Sequence, residues 1–485
     1  MPPEMRIPAS LLLALLLAAL PSGAGPPEEG ECPTVSAIPT GAPQGTDARP
    51  IALKEGMVLR QQDLLALQSL LPREIWQHRE AFFYEGMRLE IGACHRRYAV
   101  PRFYREATER FAGQAQLDER GNLRNYRAGL PFPPEQIDPT APDAGARWAW
   151  NLEHRYRGAG HAGSFRLVDF PSRLGGIQVY TGDFFWLQIG HRSDLAGAQY
   201  QLPMGDGRLW AAGGRFATPF DARHLAWRQF RGAKSLVRHQ EPDDTFVYVP
   251  TMRKMRRAAT SWIDGMFLPR YSVTGESGGG GLPFGAGPGG SAGSINPTAG
   301  RSIAVSEHLR RGFTGLTLRP NAYIWRVRGE RNVIAPLNAS SGGYPEWPER
   351  NFGHSGLSMA SDRWDVRYAV VIEGRLLVPE QEVRSLIVYI DYQTQQPLFW
   401  ITRTDGRRLF DIGVLVHRFS GDVAGYPEWP GGTPALVFEP VAAAFFNALE
   451  RAGGWRRESY DIRSLPFSEE KRRRMTSSVF LARGH

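Results

Sequence analysis

Residues 245–249, Thr-Phe-Val-Tyr-Val, constrain this chain more than any other stretch. β-Branched and aromatic side chains predict a strand there, and Pro250 ends it. Asp243 and Asp244 before it are turn formers. Four cations in five residues follow: Arg253, Lys254, Arg256 and Arg257. Successive strand side chains point to opposite faces, so Phe246 and Tyr248 look one way and Val247 and Val249 the other. Both faces are apolar, whereas a strand with one wet face alternates apolar with polar. Such a strand belongs in a sheet covered on both sides, by protein on one and by protein or an apolar ligand on the other.

Further strand candidates are 165–169, 176–180, 184–189, 323–327, 368–372, 386–390, 398–402, 413–419 and 436–438. Neighbours are separated by turns at hairpin distance, such as Arg403-Thr404-Asp405-Gly406. No regular alternation of strand and helix is present, so the expected class is α+β, mostly antiparallel β, with few helices. Helical rhythm is read from Leu59 to Leu71, from Ile75 to Phe83, from Arg102 to Ala112 and in the Ala-rich run Val441–Ala452. A terminal helix opens at Ser468, with Glu469 and Glu470 in its first turn and Lys471 to Arg474 after them. Residues 275–300 hold 11 glycines and read as a mobile loop. Gly343-Tyr344-Pro345-Glu346-Trp347-Pro348 recurs at 425–430, either as two similar packing turns or as an aromatic lip at a binding mouth. The expected organisation is a signal peptide over 1–24, a loose leader over 25–50, and one domain over 51–485 whose first part, to about 128, is helical.

Hydrophobic residues make up 42% and charged residues 22% of the 485, which is the composition of a folded protein. The formal net charge is +9. The apolar run Leu11–Leu20 is too short to span a bilayer and is followed by small residues at Ser22-Gly23-Ala24, the layout of an export signal. Export argues against nucleic acid as a partner and places the mature chain, soluble, in an oxidising compartment. Glu29-Gly30-Glu31 before Cys32 is not a lipobox. An even pair of cysteines, Cys32 and Cys94, then reads as one disulfide, with two free thiols as the alternative.

No catalytic constellation is legible. Gly275-Glu276-Ser277-Gly278-Gly279 fits a nucleophile elbow by letter, but lies in the glycine tract without strand or helix. The 11 histidines form no i, i+4 pair beside a carboxylate, so neither metal nor cofactor is expected.

Three blocks resemble a known family. The first is Gly129-Leu130-Pro131-Phe132-Pro133 with Pro139, Asp143-Ala144-Gly145 and Trp148-Ala149-Trp150-Asn151. The second is Asp243 to Pro250 with Arg253, Arg256 and Arg257. The third is Val371-Ile372-Glu373-Gly374-Arg375, then Val388 to Thr394 and Pro397-Leu398. Together they resemble the bacterial family of unknown function numbered 1329, outer-membrane lipoprotein-sorting-like and similar to the LolA/LolB superfamily. The resemblance implies a curved half-barrel sheet closed by helices over an apolar cavity, and no catalytic residues. It implies lipid or an acylated protein as ligand, with Phe246, Tyr248, Trp262, Phe267, Tyr389 and Trp400 as candidate walls. Arg253, Lys254, Arg256 and Arg257 would then meet headgroups or a partner, such as an inner-membrane export protein or an outer-membrane protein. The function expected is a periplasmic lipid or lipoprotein carrier. The alternative is an accessory scaffold of an envelope export assembly.

Overall fold

The strand at 245–249 begins two residues earlier, because Asp243 and Asp244 are not a turn. Asp243–Val249 pairs along its whole length with the strand on one side, and from Asp244 to Tyr248 with the strand on the other. The computed structural model describes residues 25–37, 49–83, 86–170, 178–195, 200–203, 207–219, 223–250, 253–260, 266–267, 272–274, 302–304, 311–312, 314–340, 362–380, 383–429, 432–449, 454–464 and 467–482. The expected signal peptide over 1–24, the glycine tract at 275–300 and the first Tyr-Pro-Glu-Trp copy lie outside them.

β1 (Thr34–Ala37) and β2 (Arg49–Ala52) pair with each other and precede β3 (Val58–Leu59) and β4 (Leu89–Cys94). A two-stranded ribbon follows, β5 (Gln116–Leu117) and β6 (Leu123–Arg124). Next come β7 (Gly160–Phe170), β8 (Gln178–Gln188), β9 (Arg208–Thr218), β10 (Ala226–Gly232), β11 (Asp243–Val249) and β12 (Lys254–Thr260). Short strands β13 (Met266–Phe267), β14 (Ser272–Thr274), β15 (Ser302–Ala304) and β16 (Arg311–Gly312) lead to the long β17 (Tyr323–Ala335) and β18 (Arg363–Glu380). The last are β19 (Val383–Asp391), β20 (Pro397–Arg403), β21 (Leu409–Phe419), β22 (Phe438–Asn447) and β23 (Gly454–Arg463). The helices are α1 (Arg73–Gln77), α2 (Arg79–Phe82), α3 (Arg102–Phe111), α4 (Ala144–His154), α5 (Glu469–Thr476) and α6 (Val479–Ala482).

Fifteen strands form one sheet in the order β12-β11-β10-β9-β8-β7-β23-β22-β21-β20-β19-β18-β4-β3, with β17 beside β18. Two antiparallel meanders, β7–β12 and β18–β23, are joined where β23 pairs with β7. The contact of β18 with β4 is parallel. The sheet is curved and open, since its ends at β12 and β3 do not pair with each other.

Both faces are covered. On the first, α4 lays Trp148, Ala149 and Leu152 on Trp325, Val370, Ile372 and Val388. It comes so close that a Cβ on Gly145 would stand 2.7 Å from the Arg326 backbone nitrogen. On the second, Leu67, Leu71, Ile75 and Phe82 pack over Val366, Ala369, Val414 and Ile401. Phe467 and Met475, the latter from α5, cover Phe185, Leu187 and Phe230 on the same side. Burying a side chain of this size contributes roughly 1.5–3 kcal/mol, which is why two apolar faces attract two covers.

Several local readings are corrected. Val441–Ala452 is not a helix, since its first part lies in β22, between β21 and β23. Ala443 and Phe445 face the first side and Ala442 and Ala444 the second, so strand pairing overrides the helix propensity of alanine. The rhythm at 59–71 yields one short 3-10 helix, Gln61–Leu67, and the segment 75–83 divides at His78 into α1 and α2. The terminal helix is α5, and the Ser468 hydroxyl accepts from the Lys471 N–H at 3.2 Å. Cys32 and Cys94 form the expected disulfide.

Candidate functional site

The second-face cover encloses a groove. The 3-10 helix Gln61–Leu67 and the pair α1 and α2 are pinned to the sheet at several points. Ile334 donates its N–H to the Leu70 carbonyl at 3.0 Å, and Arg403 pairs with Glu74. Between the 3-10 helix and the helix pair lies an open groove of about 770 Å³. Leu64, Leu65, Trp76 and Phe83 give it an apolar floor, and Arg60, Arg79 and Glu80 stand at its rim. The Arg79 guanidinium lies over the Trp76 ring, 4.8 Å from its centroid. The volume is that of a small-ligand site, and the lining is mixed, since Gln61 and Gln62 join the three charged residues beside the apolar floor.

The first face has a different character. Between its two apolar clusters runs a buried polar seam. Asp243, fully buried, accepts from Arg231 Nε at 3.1 Å, Arg231 Nη2 at 3.0 Å and Gln229 Nε2 at 2.9 Å. Arg319 Nη2 reaches the same carboxylate. Next along the seam, Glu153 accepts the Leu318 N–H at 2.6 Å and lies 3.9 Å from Arg157. Burial pushes the Glu153 carboxyl up, against the pull of Arg157 and Arg231. Arg155, Arg157, His161 and His417 then line an enclosed void of about 20 Å³. Burial, with Arg157 and Arg155 nearby, holds the His161 imidazole down at about 3, and His417 is lowered to about 3 in the same way.

Of the residues proposed from sequence as cavity walls, the four whose side chains are described do not share one packed cluster. Phe246 is half-buried on the second face against Phe230, with ring centroids 6.2 Å apart, and Tyr248 is half-buried on the same face. Tyr389 is buried on the second face and Trp400 on the first, each inside a packed cluster. Phe267 belongs to β13, paired with Arg311, and Trp262 lies outside the described residues. Arg253 is an exposed turn residue, and Lys254, Arg256 and Arg257 belong to β12. Arg257 pairs with Asp244. In the second Tyr-Pro-Glu-Trp copy, Tyr426 donates to Glu439 and the Trp429 indole to the Ser464 carbonyl, so that copy is packed down on the sheet.

Neither the groove nor the seam was singled out from sequence. The groove had a signal in the i, i+3 pair Trp76 and Arg79. The seam had one in His154-Arg155-Tyr156-Arg157 directly after an apolar helix, a run that by itself reads as solvated. Among the described residues, no group of three or more His, Cys, Asp or Glu is placed to hold a metal ion, and no helix is long and apolar enough to cross a membrane.

Residues 70–269 match the family described as Protein of unknown function (DUF1329). The match includes two of the three sequence blocks, with Trp76, Arg79 and Phe83 of the groove and Asp243 of the seam; the third block follows it. Comparison with curated proteins gives no match. Among solved structures, a DUF1329 family protein from Desulfovibrio piger is 12% identical, covering 71% of this chain and 99% of that one at a TM-score of 0.39. A domain from Vibrio parahaemolyticus, provisionally described as an outer membrane lipoprotein-sorting protein, is 12% identical. It covers 70% of this chain and 100% of that one at a TM-score of 0.37. A LolA superfamily protein from Nitrosomonas europaea is 11% identical, covering 68% and 96% at 0.30.

Proposed function

We propose that this chain is an exported, non-catalytic carrier that holds the acyl chain of a lipid or of an acylated protein in the groove beside α1 and α2. The observation that carries the reading is the groove itself. Its apolar floor of Leu64, Leu65, Trp76 and Phe83 suits a hydrocarbon chain, and Arg60 and Arg79 at the rim suit an anionic headgroup. The disulfide fits an oxidising compartment, and a Cys32 sulfur bound to Cys94 carries no acyl group of its own. The exposed cations Arg253 and Lys254 at the β11–β12 turn would meet a membrane or partner surface.

Native mass spectrometry of the full chain purified from its own cell envelope tests this. The wild type should carry lipid, Leu65→Glu should lose it, and Phe246→Glu should keep it. Loss in Phe246→Glu alone would move the ligand to the sheet. Lipid-free wild type would refute the carrier. The second reading is an accessory scaffold of an envelope export assembly, favoured by the solid packing around Tyr389 and Trp400. Crosslinking to membrane export proteins by a lipid-free wild type would establish it.

A further inference from the structure

The void in the polar seam is built from parts of the chain far apart in sequence. Arg155 and Arg157 follow α4, His161 is on β7, His417 on β21 and Ala443 on β22. Arg155 and Arg157 are each 4% exposed, His161 0% and His417 4%. Among the described residues, four of their polar atoms have no hydrogen-bond partner: both ring nitrogens of His161, Nδ1 of His417 and Nε of Arg157. A buried polar atom left unpaired is costly, and four around one void call for an occupant. Leu316, Leu415, Val416 and Phe438 line the rest of the void, so the unpaired atoms form a polar patch on a largely apolar wall, and it is such a patch that lets a void of this size hold an occupant.

The charges around the void decide what fills it. Arg155 donates to Gln396 Oε1 at 2.8 Å and to the carbonyls of Leu152 and Gly315, and forms no ion pair with a carboxylate among the described residues. Arg157 has one carboxylate, Glu153, at the long distance of 3.9 Å. The remaining titratable group on the wall is Tyr460, whose hydroxyl donates to Glu458. Glu458 is itself matched by Arg456 at 2.7 Å. Among the described residues, the wall therefore sets two buried arginines, Arg155 and Arg157, against the one carboxylate of Glu153. In a region of low dielectric that excess of positive charge is unfavourable until a negative charge joins it. Water would satisfy the N–H groups but leave the excess in place.

We propose that the void is a binding site for one monatomic, monovalent anion of chloride size. A volume of about 20 Å³ admits one particle of water size or slightly larger and excludes a tetrahedral oxyanion. The anion accepts from Arg157 Nε, from the single N–H of the neutral His161 imidazole and from His417 Nδ1–H, and lies between the two guanidinium charges, joining the segment after α4 to β7 and β21.

The test uses the full chain crystallised in sodium bromide, with diffraction data collected at the bromine absorption edge. The expected result is one anomalous peak inside the void. Ordered water there with no anomalous signal, or bromide only on the surface, overturns the proposal. In parallel, the thermal midpoint is measured in chloride, bromide, sulfate and gluconate at equal ionic strength. It should climb with the logarithm of halide concentration and stay flat in the two larger anions. Ala443→Val, which fills the void, should abolish the halide-dependent climb. A climb of the same size in all four salts refutes the site, and the wild-type diffraction result stands whether or not the variant folds.

Discussion

Asp243→Asn puts the strongest demand on the buried seam. The substitution keeps the shape of the side chain and removes its charge. Arg231, 2% exposed, and Arg319, also 2%, then lose the carboxylate they share. Breaking a buried ion pair by removing one partner costs about 3–5 kcal/mol, because the uncompensated charge stays in the interior. With a urea slope of about 3 kcal/mol/M, that lowers the unfolding midpoint by roughly 1–1.7 M. The assay is equilibrium urea unfolding followed by tryptophan fluorescence. Trp210, whose ring lies 4.7 Å from the Arg231 guanidinium carbon, reports from the site. The triple variant Asp243→Leu, Arg231→Met, Arg319→Met should recover much of the loss, since a well-packed apolar substitute no longer strands a charge. An Asp243→Asn midpoint within about 0.3 M of the parent, on the same slope, would show that the seam is open to water and that the buried-charge argument fails.

Asp365 is held up at about 6 by burial, against the hydrogen bond from the Tyr98 hydroxyl at 2.5 Å. Because its folded value exceeds its unfolded one of 3.8, its contribution is fully present below about pH 4 and is lost as pH rises through 6. That loss is about 3 kcal/mol, so urea midpoints of wild type should fall relative to Asp365→Asn between pH 4 and 6; parallel curves would refute it. The 62-residue separation of Cys32 and Cys94 predicts that Cys32→Ser, Cys94→Ser costs about 4 kcal/mol by the chain-entropy estimate, measured by the same unfolding assay under non-reducing conditions. Ser468→Ala should cost about 1 kcal/mol of local stability, seen as faster amide exchange confined to α5.

What the sequence made legible was local in origin. The β-branched and aromatic run at 245–249 marks β11 because strand propensity is written in adjacent residues. The cysteine pair needed only a count, and the Ser468 cap only its next three residues. The seam was hidden for the opposite reason. Asp243, Arg231, Arg319, Glu153 and Arg157 each read alone as solvated charges, and their burial follows from the register of β10 against β11 and the seating of α4. β22 was hidden because alanine favours helix until two neighbouring strands claim its backbone. The groove lies between elements that are each too short to be drawn from periodicity with secure ends. Of the proposed wall residues, Tyr389 and Trp400 were rightly read as strand residues, but register places them on opposite faces.

The bond between Cys32 and Cys94 also sets how the molecule carries a mechanical load. A pull reaching Cys32 from its amino-terminal side crosses directly to Cys94 at the end of β4 and enters the sheet there, where β4 runs alongside β18. The intervening loop, which contains the 3-10 helix, α1 and α2, is shunted out of the force path. Under tension the groove therefore keeps its shape for as long as the cross-link holds. Once reduced, the same segment becomes the first slack to be drawn out, so redox state governs whether strain reaches the binding groove or bypasses it.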